Sequence, residues 1–178
     1  MVTSFLNFAR PGPLDLGDVS LGELVRDCAG ELRALYEEGG VALAIEGDFP
    51  EVRADERMLR QAVLNLLRNA AEAVTSESAE RRVNVRGTRE RDADGVEWAR
   101  VEVADAGPGI NESDLQRVFI PFFTTKSKGH GVGLALAHRV VTDHGGTLSA
   151  SNDARGGGAV FTVRLPAQDE TSEPETKA

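Results

Sequence analysis

The chain has 178 residues with a 40% hydrophobic fraction, enough for one domain around a single core, and its 19 glycines against 5% aromatics favour tight turns and small polar ligands. A net charge of -9 with no basic patch disfavours nucleic acid as a partner. The lone Cys28 excludes an intrachain disulfide and the usual structural zinc sites, and no apolar run of 18 or more residues or basic leader points to membrane contact by this chain, so a reducing cytoplasmic setting is expected whether or not the intact protein is anchored.

Val2, Phe5, Leu6 and Ala9 fall on one helical stripe that Pro11-Gly12-Pro13 stops, so residues 1–11 read as the end of a longer helix, with a flexible leader as the plain alternative. A short extended stretch is predicted around Leu14–Leu16. Leu21, Leu24, Val25, Cys28, Leu32 and Leu35 then repeat at helical spacing, predicting one amphipathic helix up to Gly39-Gly40 with Cys28 as a core thiol. VALAIEG and EVRAD read as two short strands, the second running into a helix from Asp55 through Val74. RRVNVRGTRE and VEWARVEVAD alternate around Asp92-Ala93-Asp94-Gly95, a hairpin signal that makes the sheet at least partly antiparallel. A short helix begun at Asn111 or Ser113, a helix from about Gly131 to His144, and strands near 147–151 and 159–165 follow. Residues 12–166 form the expected domain, and the polar, acidic stretch 167–178 reads as a disordered tail.

Four segments carry chemistry. In LRQAVLNLLRNAAEAV the stripe Leu59, Ala62, Val63, Leu66 and Ala70 is patterned for burial, while Asn65 and Asn69 lie one turn apart on another face. Asparagine is a poor helix former, and a carboxamide oxygen is a neutral hard ligand suited to Mg²⁺. Asp105-Ala106-Gly107-Pro108-Gly109 follows a strand, which holds a carboxylate at the strand end where it can accept from an exocyclic amine such as that of adenine. Gly129-His130-Gly131-Val132-Gly133-Leu134 opens a helix whose N–H groups and dipole attract phosphate. FIPFFTTKSK concentrates three of the seven phenylalanines in a loop, predicting a lid in which Lys126 and Lys128 meet phosphate charge. Taken singly, each has a plain alternative: solvated asparagines, an ordinary turn, a glycine-rich loop, or a hydrophobic partner surface.

Taken together and in this order, NLLRNAAEA, DAGPGI, FIPFFTTK, GHGVGLALA and GGGAVFTVRLP closely resemble the N, G1, F, G2 and final glycine boxes of sensor histidine kinases, over roughly residues 14–166. SFLNFARP resembles the end of the second dimerisation helix in the nitrogen-regulation type. The resemblance implies the Bergerat fold, a two-layer α/β sandwich whose mixed, mostly antiparallel sheet carries helices on one face. It further implies an ATP-binding catalytic domain that transfers the γ-phosphoryl group of Mg-ATP to a histidine on a dimerisation domain, with a response regulator downstream.

Carried over by position, the resemblance implies that Asn69 ligates Mg²⁺, Asn65 sits beside the phosphates, and Asp105 binds the adenine amine. Gly107, Gly109 and Ile110 border the base. Thr125 and Lys126 belong to the lid, with Asn65 and Lys126 taking the catalytic roles, and Gly129, Gly131, Val132, Gly133 and Leu134 bind phosphates through the backbone. His130, Glu72 and Ala159 depart from the commonest kinase pattern, where Ser or Thr, a basic residue, and Thr are frequent. With Glu72 in place, more phosphate charge falls to Lys126 and Arg68.

The gyrase-type and heat-shock-chaperone members (GHKL ATPases) place a glutamate general base where this chain has Asn65. An amide accepts no proton near neutral pH, which favours transfer to an external nucleophile over hydrolysis. An anti-sigma-type serine kinase and a nucleotide-sensing module without turnover are the alternatives. None of His130, His138 and His144 has the helical neighbourhood of an acceptor, so the acceptor is expected on a part outside this chain.

Overall fold

The computed structural model describes residues 13–75, 77–78, 80–125, 131–154 and 157–168. Its main sheet has five strands in the order β2-β4-β5-β7-β6: β2 (Ala42–Gly47), β4 (Arg82–Arg91), β5 (Glu97–Asp105), β7 (Ala159–Pro166) and β6 (Thr147–Asn152). Only β2 and β4 are parallel; the other pairs are antiparallel, and β4 and β5 form the hairpin that Asp92-Ala93-Asp94-Gly95 predicts. A second, two-stranded sheet pairs β1 (Gly17–Ser20) with β3 (Glu51–Ala54).

Four helices, α1 (Leu21–Glu31), α2 (Arg33–Gly39), α3 (Glu56–Ala73) and α4 (Gly133–Asp143), are described, and the main sheet's apolar face is buried beneath them. The period-2 pattern of the strands makes this possible: Val83, Val85, Ala99, Val101, Val103, Phe161, Val163 and Leu165 all point to one side and join a core with Leu59, Leu66, Leu67, Ala70, Val140 and Val141. The opposite face is polar, with Arg100 bonded to Glu90 and Glu102 and with Arg164 stacked 4.9 Å from the Trp98 ring centre. The two-layer, mostly antiparallel sandwich expected from the sequence is the fold observed.

Three local expectations change. The extended stretch sits at Gly17–Ser20 instead of Leu14–Leu16, where it finds β3 as a pairing partner. The single helix predicted up to Gly39 is broken at Leu32 (φ -95, ψ 5), which re-aims the second segment so that Tyr36 is buried and its hydroxyl donates to Leu67 O at 2.9 Å. Apolar spacing does not register a one-residue break. The last helix begins at Gly133, because Gly131 is left-handed (φ +65) and its carbonyl accepts from Phe122 N–H at 2.8 Å, outside any helical turn. The short helix after Asn111 is a single 3-10 turn, Glu112–Asp114.

Helix α3 is fixed at its start in two ways. Asp55 caps it, accepting from Met58 N–H at 3.1 Å, and the Asp55 N–H donates to His144 Nε2 at 2.9 Å while His144 Nδ1 lies 2.7 Å from Val140 O. These partners set the neutral tautomer with its proton on Nδ1 and tie the end of α4 to the start of α3. At the C-terminal side Ala167 and Gln168 N–H groups donate to Glu97 O and Glu51 O, so main-chain pairing continues past Pro166.

Candidate functional site

The described parts of the four segments come together where α3, α4 and the end of β5 meet. On α3, Leu59, Ala62, Leu66, Leu67, Ala70 and Ala71 are buried, which leaves Asn65 and Asn69 half-buried on the adjoining face; Val63 is also half-buried and packs against the core. The first turn of α4 lies against Asn65: a Cβ built on Gly133 would sit 3.2 Å from Asn65 Oδ1. An amide and a helix N-terminus are therefore neighbours, as a phosphate-binding reading requires. Gly131, Val132 and Leu134 line up beside them, all half-buried.

Asp105 ends β5 and is buried, with Oδ1 accepting from Gly107 N–H at 2.9 Å and from Ala159 N–H at 3.2 Å. Two main-chain donors thus orient a carboxylate at the strand end. The loop after it passes too close to its neighbours for side chains: a Cβ on Gly107 would lie 2.7 Å from Ala73 O at the end of α3, and one on Gly158 would collide with Asp105 O. Beneath the loop, burial first and the charge of Asp105 second push the Tyr36 hydroxyl well above the ordinary tyrosine range, so it stays a neutral donor.

Beyond the loop, Gly109 is left-handed (φ +78), and the Ile110 peptide is held at both ends by one side chain: Ile110 N–H donates to Asn152 Oδ1 at 2.8 Å and Asn152 Nδ2 donates to Ile110 O at 2.7 Å. Asn152 is a residue that sequence reasoning missed. It ends β6 as one polar residue among several, and nothing in its spacing marks it.

The phenylalanine segment is anchored at its start. Phe119 packs on the core with its ring 5.0 Å from His138 and 6.3 Å, edge-on, from Phe161, and Arg117 lies 4.5 Å over the Phe123 ring. Ile120 and Phe122 remain 52% and 66% exposed, and Phe122 alone among the described non-glycine residues has a positive φ, 69°. Thr125 is exposed at the loop's far side. Lys126, Lys128, Gly129 and His130 lie outside the described residues. His138 and His144 are engaged in packing and hydrogen bonding, His138 against Phe119 and His144 between Asp55 and Val140.

The residues gathered here fit a nucleotide by their chemistry: a buried carboxylate for an amine, glycines where a base edge must approach, and a helix start for phosphate. They also fit a divalent cation held partly by the nucleotide. Asn65 and Asn69 supply neutral carboxamides, and among the described residues no three His, Cys, Asp or Glu side chains gather around a metal, so phosphate oxygens and water would complete the shell.

Comparison with known proteins identifies the family and the fold. The family model described as "Histidine kinase-, DNA gyrase B-, and HSP90-like ATPase" matches residues 54–169. The C4-dicarboxylate transport sensor protein DctS of Rhodobacter capsulatus is 36% identical over 172 residues, 92% of this chain and 24% of that protein. Among solved structures, full-length ShkA in complex with AMPPNP superposes with a TM-score of 0.76 at 29% identity, covering 94% of this chain and 35% of that one. The histidine kinase ThkA in complex with the response regulator protein TrrA gives 0.72 at 27% identity, covering 94% and 46%. The chain spans 24% to 37% of the length of the first curated relatives it matches. No helix among the described residues is long and apolar enough to cross a membrane.

Proposed function

This chain belongs to the histidine kinase-, DNA gyrase B- and HSP90-like ATPase family as a sensor-kinase catalytic domain, and from that premise we propose that it binds Mg-ATP between α3, α4 and the Asp105 loop and transfers the γ-phosphoryl group to a histidine of a dimerisation domain. In this reading Asp105 accepts from the adenine amine, and Gly107, Gly109 and Ile110 border the base. Asn65 lies beside the phosphates, Asn69 contributes to Mg²⁺, and the backbone of Gly129, Gly131, Val132, Gly133 and Leu134 meets phosphate oxygens, with Thr125 and Lys126 closing from the lid.

The observation that carries the proposal is the amide at position 65 beside the first turn of α4. A hydrolase needs a base there to take a proton from water; an amide does not supply one. A neutral imidazole has its own lone pair, so a histidine nucleophile attacks phosphorus without that base, forming a P–N bond as the bond to the β-phosphate oxygen breaks and ADP leaves. Positioning and charge stabilisation then supply the catalysis, with Mg²⁺, when bound, neutralising phosphate charge. The exposed Ile120 and Phe122 suit contact with the apolar flank of the dimerisation helices. The phosphoryl group passes onward to a response regulator.

Titrating the chain with a fluorescent ATP analogue, with and without Mg²⁺, tests the binding half. Saturable binding strengthened by Mg²⁺ and weakened in Asn69→Ala is expected; no binding, or binding indifferent to Mg²⁺ and to Asn69, overturns it.

A further inference from the structure

The loop that would border the base has little regular structure of its own. At its start Ala106 N–H donates to Arg82 O at 3.2 Å and Gly107 N–H to Asp105 Oδ1. At its far end the holding group is a side chain. Asn152 presents oxygen to the Ile110 N–H and nitrogen to the Ile110 carbonyl, 2.8 and 2.7 Å away, so its carboxamide makes the two bonds that a residue of a neighbouring strand would make.

The clasp is placed by the β6–β7 hairpin. Asn152 is paired across it with Ala159, and Ala159 N–H is one of the two donors that orient Asp105. One rung of the hairpin therefore holds both sides of the loop, Asp105 through the Ala159 backbone and Ile110 through the Asn152 side chain. Gly109 completes the fit: it is left-handed, and a Cβ there would lie 2.8 Å from Asn152 Oδ1. We infer that Asn152 is a positioning residue for base recognition, fixing the Gly109–Ile110 segment against the purine whose amine donates to Asp105. The inference rests on the nucleotide reading above.

Only a carboxamide serves both bonds. Asn152→Ala removes the two of them, while Asn152→Asp keeps an acceptor for the Ile110 N–H but sets a carboxylate oxygen against the Ile110 carbonyl. Both variants are expected to bind ATP about tenfold more weakly, equivalent to about 1.4 kcal/mol, and to discriminate less between ATP and GTP. Affinity for Mg-tripolyphosphate, which lacks a base, should match the parent. Amide hydrogen exchange without nucleotide supplies an independent readout, since Ile110 N–H should be protected in the parent and exposed in both variants.

Loss of protection together with narrowed ATP-over-GTP discrimination supports the role. Unchanged discrimination in variants that have lost the protection overturns it, as does a parent whose Ile110 N–H exchanges freely. A parent that protects Ile110 but binds no ATP overturns the nucleotide reading and this role with it, leaving a clasp of purely structural consequence. A drop in melting temperature at constant base discrimination contradicts the proposal, because a merely structural residue would give that result.

Discussion

Asn65 and Gly133 meet so closely that a Cβ on Gly133 would lie 3.2 Å from Asn65 Oδ1. Two helices far apart in sequence thereby share one face of the site, and the contact leaves room for a glycine and little else. Alanine suits a helix better than glycine by up to about 1 kcal/mol, so Gly133→Ala should keep or raise the melting temperature. It should nevertheless displace Asn65 by a few tenths of an ångström and weaken Mg-ATP binding roughly tenfold. Thermal melts and nucleotide titration on the same sample check this; an unfolded variant, or one with parental affinity, contradicts it.

Asp105→Asn is expected to lower ATP affinity and narrow the preference for ATP over GTP. The Gly107 and Ala159 N–H groups both point at Oδ1, so the carboxamide oxygen of the variant must stay on their side and its amide nitrogen take the other position. A donor then faces where the adenine amine, also a donor, would lie. Competition of ATP against GTP is the assay, and parental discrimination would mean that Asp105 does not read the base.

Phe122 combines 66% exposure with a φ of 69°, a conformation that glycine adopts without strain. Phe122→Gly should therefore stabilise the fold by about 1 kcal/mol and leave ATP affinity intact, yet slow transfer to a dimerisation domain by removing one of the two exposed apolar side chains, Ile120 and Phe122. Denaturant unfolding and transfer rates measured in parallel separate the two effects. A destabilised variant with normal transfer would contradict both parts.

How much of this was legible beforehand differs by element. Periodicity found the strands of the main sheet and the long helices, with α1 and α2 read as one, and Asn65, Asn69, Asp105 and the glycine runs stood out because their types conflict with their local setting. The break at Leu32 was not legible, since one non-helical residue leaves the apolar spacing intact while turning Tyr36 inward. Neither was the Asn152 clasp, whose partner lies 42 residues away and has no side-chain signature. Long-range pairings made by backbone atoms leave no trace in composition.

Burial, the largest influence on Cys28, pushes its thiol up from an ordinary 9.0 to about 11, against the opposing charge of Arg60. The folded state thus holds a proton that the unfolded chain releases. Stability from this group is complete below about pH 9 and falls as pH rises towards about 11, by on the order of 2 kcal/mol. Denaturant midpoints measured from pH 8 to 11 should decline, and Cys28→Ala should flatten the decline. A chromogenic disulfide reagent should react with the folded protein at pH 8 only as fast as it unfolds.

His144→Ala removes the acceptor for the buried Asp55 N–H and the ring that joins α4 to α3, so a loss of about 2–4 kcal/mol is expected. A melting temperature within a degree of the parent would show that the His144 clasp contributes little.

The central claim is phosphoryl transfer by a domain that does not supply its own acceptor, and its most direct measurement uses γ-labelled ATP with Mg²⁺. The label should stay on ATP when the chain is alone, with little free phosphate released, because Asn65 offers no base to water and none of the described histidines is placed as an acceptor. On adding a dimerisation domain from a kinase of this family that retains its histidine, label should appear on that domain in an acid-labile, base-stable form, and Asn69→Ala should abolish it. Label on this chain by itself, or fast release of phosphate with none transferred, would contradict the account.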